Sequence, residues 1–347
     1  NIKRIASCAF EHCQSLENII FKEDSQLEII EYKAFAHTRC KSICIPPHLK
    51  TIGRSAFEFS YIEHIQFSEN SELQEIQSKS FFCSQIKQIS IPPSVTKIDE
   101  EAFKNCHLLH ELIIPQNSKL KSIGALSFCE NSFDQIFIPS NVTSIERCLF
   151  HVCKNLKKVE ISNNSELKVI KVNAFYKTGI ESISLPSSII EFKDGWSFQI
   201  RYLKDIRIFP NNNVFNIKYL NNSFIVKKSN LENNYFDVLL FARRNINEVI
   251  IPSYIKSISS YAFENCYNLW YVDIPANSKL KTIGSCAFSF SALKSFSFHD
   301  HITKIGENAF CDCISLQIVE FKSYLIFNSN VYMFCSDTIF MVQLTNH

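Results

Sequence analysis

An isoleucine followed five positions later by a phenylalanine recurs along almost the whole chain: Ile5/Phe10, Ile30/Phe35, Ile52/Phe57, Ile76/Phe81, Ile98/Phe103, Ile123/Phe128, Ile145/Phe150, Ile170/Phe175, Ile258/Phe263, Ile283/Phe288 and Ile305/Phe310. A period of 22 to 25 residues makes units too small to bury their own apolar face, so each must stack on its neighbours to build one extended core. A length of 347 residues would otherwise suggest two globular domains, but a solenoid grows by adding units.

From Phe10 to Phe175 the steps are 25, 22, 24, 22, 25, 22 and 25 residues, so long and short units alternate. Long units carry a Ser-x-Leu turn before the isoleucine, as in Ser118-Lys-Leu120; short units read like Pro93-Ser-Val-Thr-Lys-Ile98. Each unit holds a Leu-x-x-Ile-x-Ile pattern, such as Leu109/Leu112/Ile114, whose period of two predicts a strand with one buried face. The ten prolines follow these runs directly or one residue later, where a missing N–H and a fixed φ end the strand. Gly53, Gly124, Gly284 and Gly306 follow the unit's isoleucine and predict a tight corner with positive φ or close backbone approach. From that corner to the phenylalanine, Asp99-Glu-Glu-Ala-Phe-Lys-Asn-Cys106 predicts a brief helical turn capped by Asp99. Each coil then contributes a strand to one continuous parallel sheet on the inner side, with short helical turns outside.

The combined signature, Ile-x-x-x-Ala-Phe-x-x-Cys-x-x-Leu-x-x-Ile-x-Ile-Pro followed by Ser-Val-Thr-x-Ile, resembles the BspA-type leucine-rich repeats over most of the chain. That resemblance implies an α/β repeat solenoid, a right-handed leucine-rich-repeat superhelix, that binds a protein and catalyses no reaction. It also implies a surface antigen or adhesin of the cell surface or a secreted form, recognising host extracellular or cell-surface proteins. An intracellular, cytoplasmic scaffold for protein–protein interaction is the alternative, since a fold does not fix a function.

Composition bounds the partners. Thirty-six basic residues stand against 34 acidic ones, so no global field invites nucleic acid or an anionic membrane. The pairs Lys157-Lys158, Lys227-Lys228 and Arg243-Arg244 read as solvated surface. No apolar run approaches the roughly 20 residues of a spanning helix. A signal peptide, anchor or further repeats could lie outside the sequence, and the oligomeric state is not readable from it.

Ten of the fourteen cysteines are locked to the repeat, Cys129 and Cys311 directly after a phenylalanine. Cys13, Cys106, Cys153, Cys266 and Cys313 stand three residues after a phenylalanine, while Cys8, Cys148 and Cys286 stand two before one. Such placement predicts buried free thiols that pack as small apolar residues. Cys311-Asp-Cys313 and His299-Asp-His301 are the nearest approaches to metal-ligand pairs, and neither brings three or four convergent ligands. No phosphate-binding loop, zinc-protease helix or nucleophile elbow is present, so the expectation is a non-enzyme with no cofactor. Asn141-Val-Thr143, Asn163-Asn-Ser165 and Asn221-Asn-Ser223 are glycosylation triplets.

The pattern lapses between Phe198 and Phe263, 65 residues apart. Two strand patterns, 223–228 and 237–242, flank a polar turn and predict a β-hairpin insertion. The chain therefore divides into repeats over 1–208, a hairpin over 209–245, repeats over 246–321, and a degenerate repeat or cap over 322–347.

Alternation within each predicted strand sends the unburied residues to the inner face. Of that column, Phe137, Lys158, Glu160, Asp205, Arg207, Tyr271 and Asp273, with Trp270 at the rim, combine the aromatic and charged groups that anchor interfaces. These eight are the candidate protein-binding residues.

Overall fold

The structure, a computed structural model, describes residues 2–22, 24–162, 164–209, 211–218, 224–232, 235–321 and 341–344. It divides into two compact units, Asn1–Trp196 and Ser197–His347. The triplets at Asn163 and Asn221 and most of the expected cap lie outside the described residues.

The first unit is a parallel β-solenoid. Two-residue strands carrying the repeat isoleucine pair in register, with Ile5, Ile30, Ile52, Ile76, Ile98 and Ile123 in successive partnership. Behind them the phenylalanine rings form a ladder. Phe81 and Phe103 lie 5.0 Å apart with planes 10° from parallel, and Phe35, Phe57, Phe128, Phe150 and Phe175 continue it. These rings are buried, as apolar mass that no single coil could shelter must be.

Among the described residues there is no helix, so the predicted outer helical turn is replaced by something else. Two residues in each outer segment, two before and two after the phenylalanine, have positive φ. Lys79 (58°) and Cys83 (54°) flank Phe81, and Glu101 (59°) and Asn105 (60°) flank Phe103. A helix requires a run of φ near −63°, which these left-handed residues interrupt. Alternate N–H groups point along the stack: Lys79, Phe81 and Cys83 donate to the carbonyls of Glu100, Ala102 and Lys104 in the next coil at 3.2, 2.8 and 3.0 Å. The intervening Ser80, Phe82 and Ser84 donate three residues back within their own coil. The outer wall is thus a hydrogen-bonded stack of β-turns, and Asp99 caps no helix.

The corner glycines serve close approach. A Cβ on Gly124 would stand 2.3 Å from the Glu100 nitrogen, and one on Gly306 2.3 Å from that of Ser285, distances that would force the coils apart.

In several coils the position three after the phenylalanine supplies a short donor to a phenylalanine carbonyl. Thr38, Ser60 and Thr178 donate to Phe35, Phe57 and Phe175 in their own coil at 2.8, 2.7 and 2.9 Å. Cys106 and Cys153 instead reach the preceding ladder residues, Phe81 at 3.0 Å and Phe128 at 2.9 Å. The cysteine column is therefore polar as well as apolar, adding a second donor to a buried carbonyl such as that of Phe81, which already accepts the Ser84 N–H.

On the inner side, Ser42–Ile45, His64–Phe67, Gln88–Ser90 and Glu111–Ile113 form one parallel ladder, and Gln135–Ile138, Lys158–Ile161 and Ser182–Leu185 form a second. The expected continuous sheet is interrupted between Glu111–Ile113 and Gln135–Ile138. In the second unit Glu248–Ile250 pairs with Tyr271–Asp273, and Ser295–Phe298 with Ile318–Phe321, with the same kind of break between the pairs. Both breaks follow a strand that comes after Phe-x-x-Cys and runs into Ile-Pro; Phe103 to Leu112 and Phe263 to Val272 take nine residues where Phe81 to Ile89 takes eight, so an extra residue and a missing N–H coincide.

The second unit has a ring ladder of its own through Phe263, Phe288 and Phe310, spaced 4.9 and 5.2 Å. Its first coil is irregular. Phe215–Lys218, Phe224–Lys227 and Val238–Ala242 form an antiparallel meander, and Val238–Leu239 then pairs parallel with Ser257–Ile258. Phe224, Val226, Leu239 and Ala242 join one apolar cluster with the repeat residues Ile258, Phe263 and Phe288. Phe198 is not a ladder residue. Positive φ at Gly195 and Gln199 brackets Ser197, which stands five after the buried Phe192 and so holds the column position. Phe198 instead lies tilted against Tyr261, centroids 4.8 Å apart.

Candidate protein-binding faces

Strand alternation sets which side chains are offered. Lys158–Ile161 alternates exposed and buried, as do Ser42–Ile45 and Glu111–Ile113, because residues two apart share a face. The buried members are monotonous (Ile43, Ile65, Ile89, Leu112, Ile136, Val159), whereas the outward members change type from coil to coil.

In the first unit Phe137, Lys158 and Glu160 come together. Phe137 is directly opposite Glu160, and Gln135 opposite Lys158. Lys158 and Glu160 form an ion pair along their own strand, with side chains 58% and 50% exposed, so this pair contributes about 0–1 kcal/mol to the fold. Beside it, His64, Gln66, Gln88, Ser90, Glu111 and Ile113 line a recess of about 640 Å³ rimmed by Pro92, Pro93 and Pro115. These residues belong to the same outward column, but without the aromatic and charged mixture nothing in the sequence set them apart.

In the second unit Asp205 is a bridge. Its Oδ2 accepts from Arg207 Nε at 3.0 Å and its Oδ1 from Arg243 Nη2 at 3.1 Å. Arg207 stays 77% exposed. Trp270 and Tyr271 are exposed neighbours with ring centroids 5.6 Å apart, and Lys294 Nζ lies 5.8 Å from the Trp270 centroid. Tyr271 is opposite Glu248 and Asp273 opposite Ile250.

Arg244 departs most from expectation. It is 4% exposed, not solvated surface. Nε donates to Ile200 O at 3.0 Å, Nη1 to Ala262 O at 2.8 Å and Nη2 to Tyr261 O at 3.2 Å, while the guanidinium lies 4.1 Å over the Phe241 ring. Leu239 stands opposite Ile258, and three residues later Ala242 N–H meets the Ala262 carbonyl. Regular coils take five residues to that point, as from Ile30 to Phe35. The coil is two residues short and has no ladder ring, and the forked guanidinium fills the gap. Nearby, Glu264 accepts from Gln199 N and Nε2 at 2.8 and 3.1 Å, and burial raises its carboxyl above the ordinary value. No spacing signal pointed to it, because the two missing residues put Ala242, not Arg244, at the phenylalanine position.

No group of three or more metal-ligating side chains occurs among the described residues, and no described helix is long and apolar enough to cross a membrane. Among the described residues twelve cysteines are free thiols, and Cys311 is disulfide-bonded, an exception to the expected free thiols. Burial pushes the Cys106 and Cys153 thiols up to about 12, which keeps them protonated and unreactive.

The family model of the BspA type leucine rich repeat region matches in six copies, over residues 1–110, 121–239 and 235–346. The chain belongs to this family. As a BspA-type repeat protein it shares its fold with a leucine-rich cell surface protein from Faecalibacterium prausnitzii, at 22% identity and a TM-score of 0.59, covering 86% of this chain and 83% of that one. A leucine-rich repeat protein from Bacteroides ovatus aligns over 99% of this chain and 88% of its own at 18% identity, with a TM-score of 0.51. Identities this low establish common architecture alone. A search of curated protein sequences returns no match.

Proposed function

We propose that this BspA-type repeat protein is a non-catalytic binder of proteins, displayed at a cell surface or secreted, that recognises its partner through the outward residues of its inner strands. The observation that carries the reading is the contrast between a constant buried column and a changing exposed one on the same strands. A rigid frame that varies only where it meets solvent suits recognition. Phe137, Lys158 and Glu160 in the first unit, and Asp205, Arg207, Trp270, Tyr271 and Asp273 in the second, are the proposed contacts. On this reading 1–208 and 246–321 are the recognition blocks, 209–245 is a β-hairpin insertion, and 322–347 is a degenerate repeat or C-terminal cap.

The test is capture of proteins from a host-cell surface extract by immobilised protein. Reversing charge at Lys158→Glu and Arg207→Glu weakens capture while circular dichroism stays unchanged; capture unaffected by both removes the inner face from the account. A second reading, an intracellular scaffold without a host ligand, draws on the twelve free thiols, since reducing compartments keep cysteines unpaired. Unmodified Asn141 in protein from its native source would favour that reading.

A further inference from the structure

We infer that the inner face of the second unit takes a basic polypeptide segment, one presenting arginine or lysine from an extended backbone; the inference rests on the proposed protein-binding role and names the partner's chemistry. The argument begins with which carboxylates already have partners. Glu160 is paired by Lys158, and Asp205 by Arg207 and Arg243. Among the described residues, Glu248 and Asp273 have no cation within ion-pair distance, and Glu320 accepts from the neutral Ser297 hydroxyl at 2.7 Å.

Glu248 and Asp273 sit among exposed apolar groups, and Glu320 lies on the later strand pair Ser295–Phe298 and Ile318–Phe321. Ile250 is 47% exposed, Trp270 44% and Tyr271 42%. Register makes Glu248 the neighbour of Tyr271 and Ile250 that of Asp273, so Glu248 and Asp273 are diagonal neighbours on one face, one strand spacing (~4.8 Å) across and two residues (~6.6 Å) along. Alternate side chains of an extended segment recur every ~6.6 Å, close enough for successive cations to meet successive carboxylates. Aromatic faces beside the acids supply the second element. A guanidinium over tyrosine or tryptophan is attracted by the ring as well as by the carboxylate, and Trp270 already holds the Lys294 ammonium near its ring. Unpaired anions beside open aromatic rings complement a cation-bearing chain and repel an acidic one.

The experiment uses the whole chain and fluorescein-labelled twelve-residue peptides of alternating Arg and Ser, Lys and Ser, or Glu and Ser, read by fluorescence anisotropy at low and high salt. The Arg-Ser peptide binds, the Glu-Ser peptide does not, and salt weakens the complex. The triple variant Glu248→Gln, Asp273→Asn, Glu320→Gln loses at least ~10-fold in affinity, whereas Glu232→Gln, Asp300→Asn, Glu307→Gln, equal in charge but off the face, changes it less than ~2-fold. Tyr271→Ala weakens the Arg-Ser peptide more than the Lys-Ser peptide, as ring stacking favours arginine. Equal losses from the two triple variants would mean attraction to net charge alone and overturn the inference, as would absence of binding. If basic peptides fail while Lys158→Glu and Arg207→Glu still abolish capture, this partner chemistry is wrong and inner-face recognition stands.

Discussion

Arg244 Nη1 donates to the carbonyl oxygen of Ala262 at 2.8 Å, the same oxygen that accepts the Ala242 N–H at 2.9 Å. A side chain has thereby been set into a place that regular coils give to a phenylalanine ring. Burial lowers the Arg244 pKa, yet a guanidinium stays charged across the physiological range. Replacing it with Leu would leave the Ile200 carbonyl without the guanidinium donor and take one of two donors from the Tyr261 and Ala262 carbonyls, costing about 1–3 kcal/mol. Lys at the same position keeps the charge but cannot fork, and should recover little. Hydrogen exchange checks this locally: amides of residues 257–263 lose protection in Arg244→Leu, while those of 98–103 do not.

The ring ladder should carry the first unit's stability. Phe103 is fully buried between Phe81 and Phe128, and coils clamped by hydrogen bonds on both sides cannot collapse into a hole. Phe103→Ala should cost about 3–5 kcal/mol in urea denaturation, and Phe103→Leu markedly less.

Thiol chemistry should sort by depth. Cys8, Cys13 and Cys44 are exposed and should alkylate with iodoacetamide at pH 8 under native conditions. Cys106 and Cys153, held near 12 by burial, should react only after denaturation, as followed by mass spectrometry. Labelling of Cys106 as fast as Cys44 would contradict the packing described.

Acid should release the connection between the second and third strands of the meander. Asp237 is fully buried, and burial pushes its carboxyl up, but donation from Ser229 N and Oγ at 2.8 and 2.7 Å and from Lys256 outweighs it and leaves the pKa below the ordinary value. A folded-state pKa below the unfolded one stabilises the fold above about pH 4 and is lost as pH falls through the folded value. Asp237→Asn should therefore be less stable than the parent at pH 7, with the gap closing on acidification below about pH 4; a gap that widens would reverse the assignment.

What could be read from the residues follows from what is local. The isoleucine and phenylalanine columns were legible because each coil repeats the same burial at the same spacing. The inner-face alternation was legible because strand geometry has a strict period of two. The outer wall was not, because its hydrogen bonds run between coils, as from Phe81 to Ala102, and a segment such as Asp99–Cys106 viewed alone resembles a capped helical turn. A hint existed in Asn105, Asn173, Asn265 and Asn308, all at left-handed positions that asparagine tolerates better than most residues. Arg244 was missed since two absent residues hide its column, and Ser197 because Phe198 next to it looked like the ladder residue. The eight proposed contacts were placed on inner strands or their rim by alternation, but their pairing, Lys158 with Glu160 and Asp205 with two arginines, needed coordinates.

The central claim is that partners meet the inner strands and not the stacked outer turns. Site-specific photo-crosslinking tests it directly, with p-benzoylphenylalanine replacing Gln135 or Tyr271 on the inner strands and Arg54 or Glu307 at the outer corners, each exposed. Irradiation with a host-cell surface extract should give protein adducts from the Gln135 and Tyr271 positions and none from Arg54 and Glu307. Adducts confined to the outer corners would contradict the account.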